Sequence, residues 1–309
     1  MRNEDILALT PRSAAAPAQA KPRRTKEQSL AKVDKMRRGK HRHGEDAKDI
    51  AGDEEEQDRQ FVVALSRGLR VLSACKAKDP TLGNKELAER TGIPAATISR
   101  LTHTLTKMGY LHFDARTETY DLGGSALTLG HTALARISLR RVALPLMQEL
   151  AQRANANVGL GIRDRSMMLY AETCEGSGLI GLRLFPGSRI SMATSAMGRA
   201  YISALGNDER EELLKELAPQ YGSEWPTIRH GIDQAMREVA QQGFCLSLRD
   251  WQKEIHGVAV PLVDPVRGTV YALNLGGPAY LLSEAFMRNE CGPWLREVRD
   301  KINMVFATE

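Results

Sequence analysis

Between residues 60 and 92 the apolar positions recur at helical spacing. An apolar stripe repeating every three or four residues predicts the inner face of a first helix in a three-helix core. The stripe consists of Val62, Leu65, Leu69 and Leu72. A short second helix is predicted from Asn84, which favours the N-cap position, to Thr91. Gly92 then suits the left-handed conformation that follows a helix.

A third helix and a hairpin follow. Pro94 is tolerated in a first helical turn, so it restarts a helix that ends at Gly109. Its predicted core face comprises Ile98, Leu101, Leu105 and Met108. Residues 110–113 and 118–122 alternate between apolar and polar, and Asp114–Thr117 fits a hairpin tip. This order of elements predicts a winged helix-turn-helix, which places one helix in the DNA major groove.

The outer face of the third helix carries small, hydroxylic or basic residues and no carboxylate that would repel phosphate. Small residues allow close approach to base edges, and an arginine can reach a guanine or a phosphate. The predicted DNA contacts are Arg67, Lys85, Ala95, Ala96, Thr97, Ser99, Arg100, Thr102, His103 and Arg116. A winged helix used for protein contacts is the alternative at this point. His103 has no second metal ligand four residues on, so a phosphate or solvent contact is the better interpretation.

After residue 122 the pattern mixes helical and strand-like runs. Gly123–Arg136 is predicted as a connecting helix, and Ser138 as the N-cap of a helix over Leu139–Ala154. Strands are predicted at Val158–Arg163, Met167–Glu172, Leu179–Phe185, Phe244–Leu248, Gly257–Leu262 and Thr269–Leu275. Helices are predicted at Ala196–Ala204, Asp208–Leu217 and Ile228–Gln242, and from Ser283 through Val305. Antiparallel strands with helices at the ends and on one face indicate an α+β domain.

Composition and charge add a third region. The 309 residues allow two ordinary domains and a tail, and the four cysteines lie far apart, which favours reduced thiols. We expect neither a membrane-spanning helix nor a secretory signal, and therefore a cytoplasmic protein. The net charge is +5, with Lys21–His43 densely basic and Asp46–Asp58 acidic. Residues 1–58 are therefore predicted to be disordered, either as a plain tail or misassigned start, or as a basic arm that adds salt-sensitive DNA affinity.

Several ordered motifs resemble the IclR family of bacterial transcription regulators. They are SRGLRVL, ELAERTGIPAATISRLTHTL, GYL and YDLG, followed by MATSAMGRAYISAL, HGVAVPLVDPVRGTV and LNLGGP. The resemblance implies a DNA-binding domain over residues 59–122, a linker helix over 123–137 that contributes to dimerisation, and a GAF-like effector-binding domain over 138–309. The implied partners are double-stranded DNA, a small effector and further copies in a homodimer or tetramer. We expect no metal and no cofactor.

The effector site is predicted at the start of the helix Ala196–Ala204. Thr194 and Ser195 can cap this helix, its free N–H groups suit a carboxylate, and Gly198 permits close approach. Asn274, a polar residue among apolar neighbours, would orient the ligand. The full predicted set is Met192, Thr194, Ser195, Ala196, Gly198, Trp251, His256, Gly257, Asn274 and Gly276.

The chain departs from the resembled family in this region. The family commonly has His where Met192 stands, Lys where Arg199 stands, and often Gly and Cys at the ends of the EIHG segment at residues 254–257. The pocket is therefore expected to be more apolar than the pocket of a glyoxylate or pyruvate sensor. This favours an aromatic or longer acid as the effector.

The predicted function is transcriptional regulation of a metabolic operon, in which a small acid modulates operator binding. An enzyme acting on a small acid with a fused DNA-binding domain is the alternative. No GxSxG, P-loop, HExxH or strand-linked GxGxxG motif is present to favour it. A purely structural nucleoid protein is the third class, and the large sensor-like domain argues against it.

Overall fold

The computed structural model describes residues 60–76, 79, 81–177, 184–265 and 267–308. The predicted disordered extension and most of the predicted strand Leu179–Phe185 lie outside the described residues. The chain divides into two compact units, one reaching His103 and the other beginning at Thr104, so the boundary falls within the third helix.

The first unit contains helices α1 (Val63–Ala74), α2 (Asn84–Thr91) and the start of α3 (Ala95–Lys107). Its buried apolar side chains are Val71, Leu82, Leu87, Ile93 and Ile98. Helix α2 ends at Thr91 and is followed by Gly92, whose φ of 67° is left-handed, as the sequence predicted. The guanidinium of Arg70 donates a 2.7 Å hydrogen bond to the carbonyl of Thr91, which satisfies one of the carbonyls left free at this helix end.

Two predictions for this unit were wrong. In α1 the buried residues are Gly68 and Val71, whereas Val62, Leu65 and Leu69 are 61%, 60% and 54% exposed. The apolar stripe therefore faces solvent in a single chain. Asn84 is the first helical residue of α2 and not its N-cap; its side-chain amide accepts a 3.2 Å hydrogen bond from the Thr102 hydroxyl and so joins α2 to α3.

The second unit opens with the last turn of α3 and a hairpin of β1 (Leu111–Asp114) and β2 (Thr119–Leu122). The hairpin confirms the predicted wing to within a residue at each end. A Cβ added at Gly123 would lie 2.2 Å from the carbonyl oxygen of Gly109, so a glycine is required where the two ends of the wing meet. Met108, predicted in the core, is 59% exposed.

Helix α4 (Gly124–Ala135) follows the wing and has no buried residue. Leu127 and Leu129 on it are 75% and 58% exposed. Helix α5 (Ser138–Ala154) comes next. Its N-cap position is held by Ile137, which corrects the prediction of Ser138 as the cap.

The remaining chain builds a six-stranded antiparallel sheet in the order β5-β4-β3-β8-β7-β6. Its strands are β3 (Asn157–Asp164), β4 (Met167–Cys174), β5 (Arg189–Ser191), β6 (Cys245–Leu248), β7 (Ile255–Val263) and β8 (Val270–Pro278). The intervening helices are α6 (Ala196–Ser203), α7 (Asn207–Tyr221), the short 3-10 turn Gly222–Glu224 and α8 (Trp225–Gln242). The chain ends in α9 (Glu284–Phe286), a π turn (Met287–Cys291) and α10 (Gly292–Thr308). The α+β class is confirmed, and β5 is a strand that the sequence pattern did not predict.

Helices cover both faces of this sheet. Strand residues such as Val158, Val260 and Leu273 form one buried cluster with residues of α5 and α10. Tyr170, Cys245 and Ala272 form the other cluster with residues of α6, α7 and α8. The second face is the one that carries the predicted effector residues, because Gly257, Asn274 and Gly276 alternate with the side chains of the first cluster.

Candidate functional site

The outer side of α3 is exposed and free of carboxylates. Ala95, Ala96, Ser99, Arg100 and His103 are exposed, and Thr97 is partly so. The first turn of the helix exposes the small side chains of Ala95 and Ala96 and contains no acidic residue. The partial positive charge of the helix N-terminus is therefore not offset by a carboxylate on this turn. This side can approach a polyanion closely without a repulsive charge.

Thr102 does not belong to this surface, so its assignment as a DNA contact is corrected. Its side chain is fully buried. The hydroxyl lies 3.0 Å from the carbonyl of Ile98 and 3.2 Å from the Asn84 amide oxygen. Thr102 lies four residues after the buried Ile98, so helical spacing also favoured the inner face, and its polar side chain led to the wrong assignment.

The remaining predicted basic contacts are exposed on other elements. Arg67 on α1 and Lys85 on α2 are exposed in the first unit. In the second unit, the Arg116 side chain at the wing tip is 84% exposed, with a guanidinium nitrogen 3.6 Å from the Asp114 carboxylate. The Arg116 amide donates a 2.8 Å hydrogen bond to that carboxylate and lowers the pKa of Asp114, so the tip keeps a fixed shape.

At the start of α6 the predicted cap is present. The Ser195 hydroxyl accepts a 3.1 Å hydrogen bond from the Gly198 amide and donates a 2.6 Å bond to the carbonyl of Ser191. Ser195 is 4% exposed. Its hydroxyl and the Gly198 amide therefore satisfy each other, and the amides that remain for a ligand in this turn are those of Ala196 and Met197.

Glycine at position 198 is required by close packing. A Cβ there would lie 2.0 Å from the carbonyl oxygen of Met192. Met192 itself is fully buried. Gly198 thus allows the preceding loop to fold against the first turn of α6, rather than opening that turn to a ligand.

Arg199 is a buried cation next to this helix start. It is 5% exposed, its Nε donates a 3.0 Å hydrogen bond to the carbonyl of Ala193, and one terminal nitrogen lies 2.6 Å from the Asp250 carboxylate. The guanidinium is therefore neutralised by Asp250 and ties the loop before α6 to the connection between β6 and β7.

A small recess opens on the same face of the sheet, at one end of β3, β4 and β8. Its enclosed cavity volume is about 10 Å³, and its mouth opens to solvent. The lining residues are Asn157, Val158, Gly159, Tyr170, Thr173, Leu184, Asn274 and Gly276. None of these carries a charge, and an enclosed space of this size holds about one water-sized group, such as a hydroxyl.

Asn274 and Tyr170 form the floor of the recess. Asn274 is 8% exposed, and its amide nitrogen donates a 3.2 Å hydrogen bond to the Tyr170 hydroxyl. Burial raises the pKa of Tyr170, so the phenol stays protonated. A Cβ at Gly159 would lie 2.2 Å from the Tyr170 ring and 2.9 Å from the Asn274 Oδ1, so glycine at this strand position makes room for both side chains.

The structure brings together only part of the predicted effector set. Asn274 and Gly276 line the recess. The residues at the α6 start lie beside it: Gly276 pairs with Gly257 across β7 and β8, and a Cβ at Gly257 would lie 3.5 Å from that of Ala196. The recess lining does not include Met192, Thr194, Ser195, Ala196, Gly198, Trp251, His256 or Gly257.

His256 and Trp251 face other neighbours. The His256 Nδ1 lies 2.8 Å from the carbonyl oxygen of Leu282, and the side chain is 8% exposed. Since Gly257 lies on the α6 side of β7, the adjacent His256 points to the opposite face. Trp251 packs against the cluster formed with α6, α7 and α8.

Sequence reasoning missed Asn157, Val158, Gly159, Tyr170, Thr173 and Leu184. Asn157 carried a usable signal, because it is a polar residue at the start of a mostly apolar strand, as Asn274 is a polar residue among apolar neighbours. The sequence could not show that β3 lies between β4 and β8, which is what brings Asn157, Tyr170 and Asn274 to one recess.

Neither a metal centre nor a membrane-spanning helix is found in the part of the chain that the structure describes. No group of three or more His, Cys, Asp or Glu side chains among these residues could hold a metal ion. No helix of the described ranges is long and apolar enough to cross a membrane.

Two family models match the chain. The model "IclR helix-turn-helix domain" matches residues 64–115, and "Bacterial transcriptional regulator IclR C-terminal" matches residues 131–304. The HTH-type transcriptional regulator TsaQ1/TsaQ2 of Comamonas testosteroni is 33% identical over 246 residues, which cover 79% of this chain and 88% of that protein.

Solved structures agree with this assignment. An IclR family transcriptional regulator from Brucella abortus is 41% identical, with a TM-score of 0.67 over 81% of this chain and 95% of that one. An IclR homologue from Microbacterium hydrocarbonoxydans, complexed with 4-hydroxybenzoate, shares the fold at 21% identity, with a TM-score of 0.66 over 80% of this chain and all of that one. Because the C-terminal family model spans more than half of the chain and the Comamonas relative exceeds 30% identity, this chain belongs to the IclR family of bacterial transcription regulators.

Proposed function

We propose that this protein regulates a catabolic operon from the cytoplasm, and that a small carboxylate effector, preferably aromatic, modulates its binding to the operator. The observation that carries the DNA-binding half is the outer side of α3, which exposes small residues, Arg100 and His103 without a carboxylate. Arg67 on α1, Lys85 on α2 and Arg116 on the wing would contact phosphates and so position the protein on the DNA. Residues of α3 would contact the base edges.

The effector half is supported by the recess on the sheet and the helix start beside it. The first-turn amides of Ala196 and Met197 suit the acid group, because a helix N-terminus attracts anions. The uncharged recess would take one small polar group of the molecule, with the rest of the molecule at its mouth. The 4-hydroxybenzoate in the Microbacterium homologue supports an aromatic acid as the first class to test.

We further propose that the operator is bound by a homodimer or a dimer of dimers. The exposed side chains of Val62, Leu65 and Leu69 on α1 support this, since a second copy would bury them. A single reading helix also contacts too few base pairs for a specific site. The half-sites would then lie about one helical turn, ~34–36 Å, apart or a multiple of it.

The enzyme alternative gains no support from the recess. Its polar lining consists of two asparagine amides, a tyrosine hydroxyl and a threonine hydroxyl. Catalysis of acid–base type requires a group that exchanges protons near neutral pH. The buried Tyr170, whose pKa is raised, does not meet that requirement.

The DNA-reading assignment is tested with Arg100→Ala. An operator is first isolated from random duplexes by repeated selection on the full-length protein, and binding is then measured by fluorescence anisotropy at a fixed salt concentration. Loss of a base-edge contact is expected to weaken specific binding by about 1–3 kcal/mol. Arg141→Ala, an exposed arginine on α5, is the matched control and should leave the affinity unchanged. Equal operator affinities of the wild type and Arg100→Ala would refute the assignment of α3 as the reading helix.

A further inference from the structure

Two buried side-chain amide atoms in the recess have no hydrogen-bond partner among the described residues. They are the Asn157 Nδ2, a donor, and the Asn274 Oδ1, an acceptor. Asn274 is more than nine-tenths buried, and both side chains line the recess. A buried polar group without a partner destabilises the protein, so a native site that keeps two of them in one recess needs a reason.

The sheet register places these two groups side by side. Asn157 pairs with Gly276, and Gly159 pairs with Asn274, so Asn157 and Asn274 are diagonal neighbours on one face of adjacent strands. Such neighbours lie about 7–8 Å apart at the backbone, and here both side chains line the same recess. One atom that accepts a hydrogen bond and also donates one would satisfy both amides.

The neighbouring groups hold the acceptor in place. The Asn274 Nδ2 donates to the Tyr170 hydroxyl, so the atom of this amide that remains for a ligand is its oxygen. Gly159 provides the space, because any side chain there would collide with both the Tyr170 ring and the Asn274 Oδ1. The Asn274 side chain is thus held in position before any ligand arrives.

The chemistry of the lining excludes a charged group at this point. No lining residue is a cation, and the nearby Arg199 guanidinium is neutralised by Asp250. A carboxylate can accept from Asn157 but cannot donate to Asn274, and it would be buried without a counter-charge. A hydroxyl accepts from one amide and donates to the other without any charge.

We propose that Asn157 and Asn274 together read a hydroxyl group, so that the effector is a hydroxy acid whose hydroxyl lies in the recess and whose carboxylate lies toward the start of α6. The inference rests on the proposed function, because it names the class of effector for the same site. It adds a specificity element: the protein discriminates a hydroxy acid from the same acid without its hydroxyl group.

The test is calorimetric titration of the full-length protein with two matched series. The aromatic series is 4-hydroxybenzoate, benzoate and 4-methoxybenzoate, and the aliphatic series is 4-hydroxybutanoate, butanoate and 4-methoxybutanoate. The hydroxy member of at least one series is expected to bind about tenfold or more tightly than both partners, because each partner leaves a buried amide unpaired. The methoxy member isolates the donor role, since an ether oxygen accepts but does not donate.

Substitutions of Asn157 and Asn274 test whether their side-chain amides cause the preference for the hydroxy acid. Asn157→Ala and Asn274→Leu should each remove the hydroxyl preference by weakening the hydroxy acid alone, with little change for the unsubstituted acid. Asn303→Ala, an exposed asparagine on α10, is the matched control and should keep the preference. Asn157 is only partly buried, so Asn157→Ala provides the measurement if Asn274→Leu does not fold.

Three outcomes would overturn the inference: equal affinities within both series, no binding of any member, or a preference that survives both asparagine variants. The proposed function is judged separately, by operator anisotropy with the same acids. Acids that shift operator affinity without a hydroxyl preference would leave the proposed function in place and remove only this inference. A protein that shows no sequence-specific DNA binding would instead lose the proposed function, whatever the calorimetry gives.

Discussion

Single residues decide what each face of this protein can do. Thr102 shows this on α3, where one hydroxyl turned toward Asn84 and the Ile98 carbonyl removes a residue from the reading surface. Gly159 shows it in the sheet, where the lack of a side chain leaves space for Tyr170 and Asn274. In both cases the residue type was visible in the sequence, but its role depends on a neighbour that is distant along the chain.

The buried thiol of Cys245 gives a prediction at the same scale. Burial raises the pKa of Cys245 to about 12, against 9.0 for an ordinary thiol, and the Sγ lies 3.6 Å from the carbonyl of Ala196. Between these two pH values the unfolded chain releases the thiol proton and the folded protein keeps it. The free energy of unfolding should therefore fall as the pH rises above 9, with Cys245 contributing at most about 1.4 kcal/mol per pH unit.

Urea unfolding of the wild type and Cys245→Ala between pH 8 and pH 10.5 measures this contribution. The variant should be less stable at every pH because it leaves a cavity, yet its stability should fall less steeply with pH. Parallel curves for the two proteins would mean that the thiol ionises equally in the folded and unfolded states, contrary to its burial.

At the scale of elements, the helices differ in how much of their apolar surface this chain buries. Helix α6 lies on the sheet, and all but the last of its residues are buried. Helix α4 has none buried, and α1 buries only Gly68 and Val71. The apolar spacing on α1 predicted a core-facing stripe, but the described residues of one chain leave most of this stripe exposed.

The exposed stripe of α1 predicts self-association. Replacing Leu65 and Leu69 with glutamate should convert the dimer or tetramer proposed for the wild type to a smaller species, because two buried charges would oppose the apolar contact. Sedimentation or light scattering at micromolar concentration measures the mass, and far-UV circular dichroism confirms that the helices persist. Leu281→Glu, at another exposed leucine, serves as the comparison. A wild-type protein that is already monomeric would contradict the proposal at once.

At the scale of the whole molecule, regulation requires that the DNA-reading surface and the effector site influence one equilibrium. Each unit carries one of the two proposed sites: the first unit the outer side of α3, and the second unit the recess of the sheet. Any coupling between two sites is a difference in free energy, and it must be the same in both directions.

Reciprocity makes this prediction quantitative. If an effector acid changes operator affinity by a given factor, saturating operator DNA must change the affinity for that acid by the same factor, about 5–150-fold for coupling of the usual size. Anisotropy with and without acid, and calorimetry with and without operator, give the two factors independently. Because linkage requires this equality for any single acid site coupled to the operator site, factors that differ beyond error would show that the acid also binds at a second place.

The predicted basic arm in residues 1–58 belongs to this scale as well. Its charge in Lys21–His43 predicts that deletion of residues 1–58 makes DNA binding less sensitive to salt, with the slope reduced by about 0.9 for each phosphate that the arm neutralises. The comparison is made over a range of potassium chloride concentrations with the full-length and shortened proteins. An unchanged slope would assign the extension no part in DNA binding.

The sequence by itself determined the elements whose causes are local. Helical spacing, Gly92 after α2 and the alternation around Asp114–Thr117 predicted the three helices and the wing, because these signals act within a few residues. The cap at Ser195 was likewise predicted from its own turn. Ordered motifs then identified the family, which the two family models confirmed.

Only the tertiary structure decided which side chains meet. The order β5-β4-β3-β8-β7-β6 places strands far apart in sequence side by side, and this order brings Asn157 and Tyr170 to Asn274. It also turns His256 away from the recess and lets Asp250 neutralise Arg199. Such pairings depend on which strands become neighbours in the sheet. The packing of the whole domain sets this order, and no local pattern of residues carries that information.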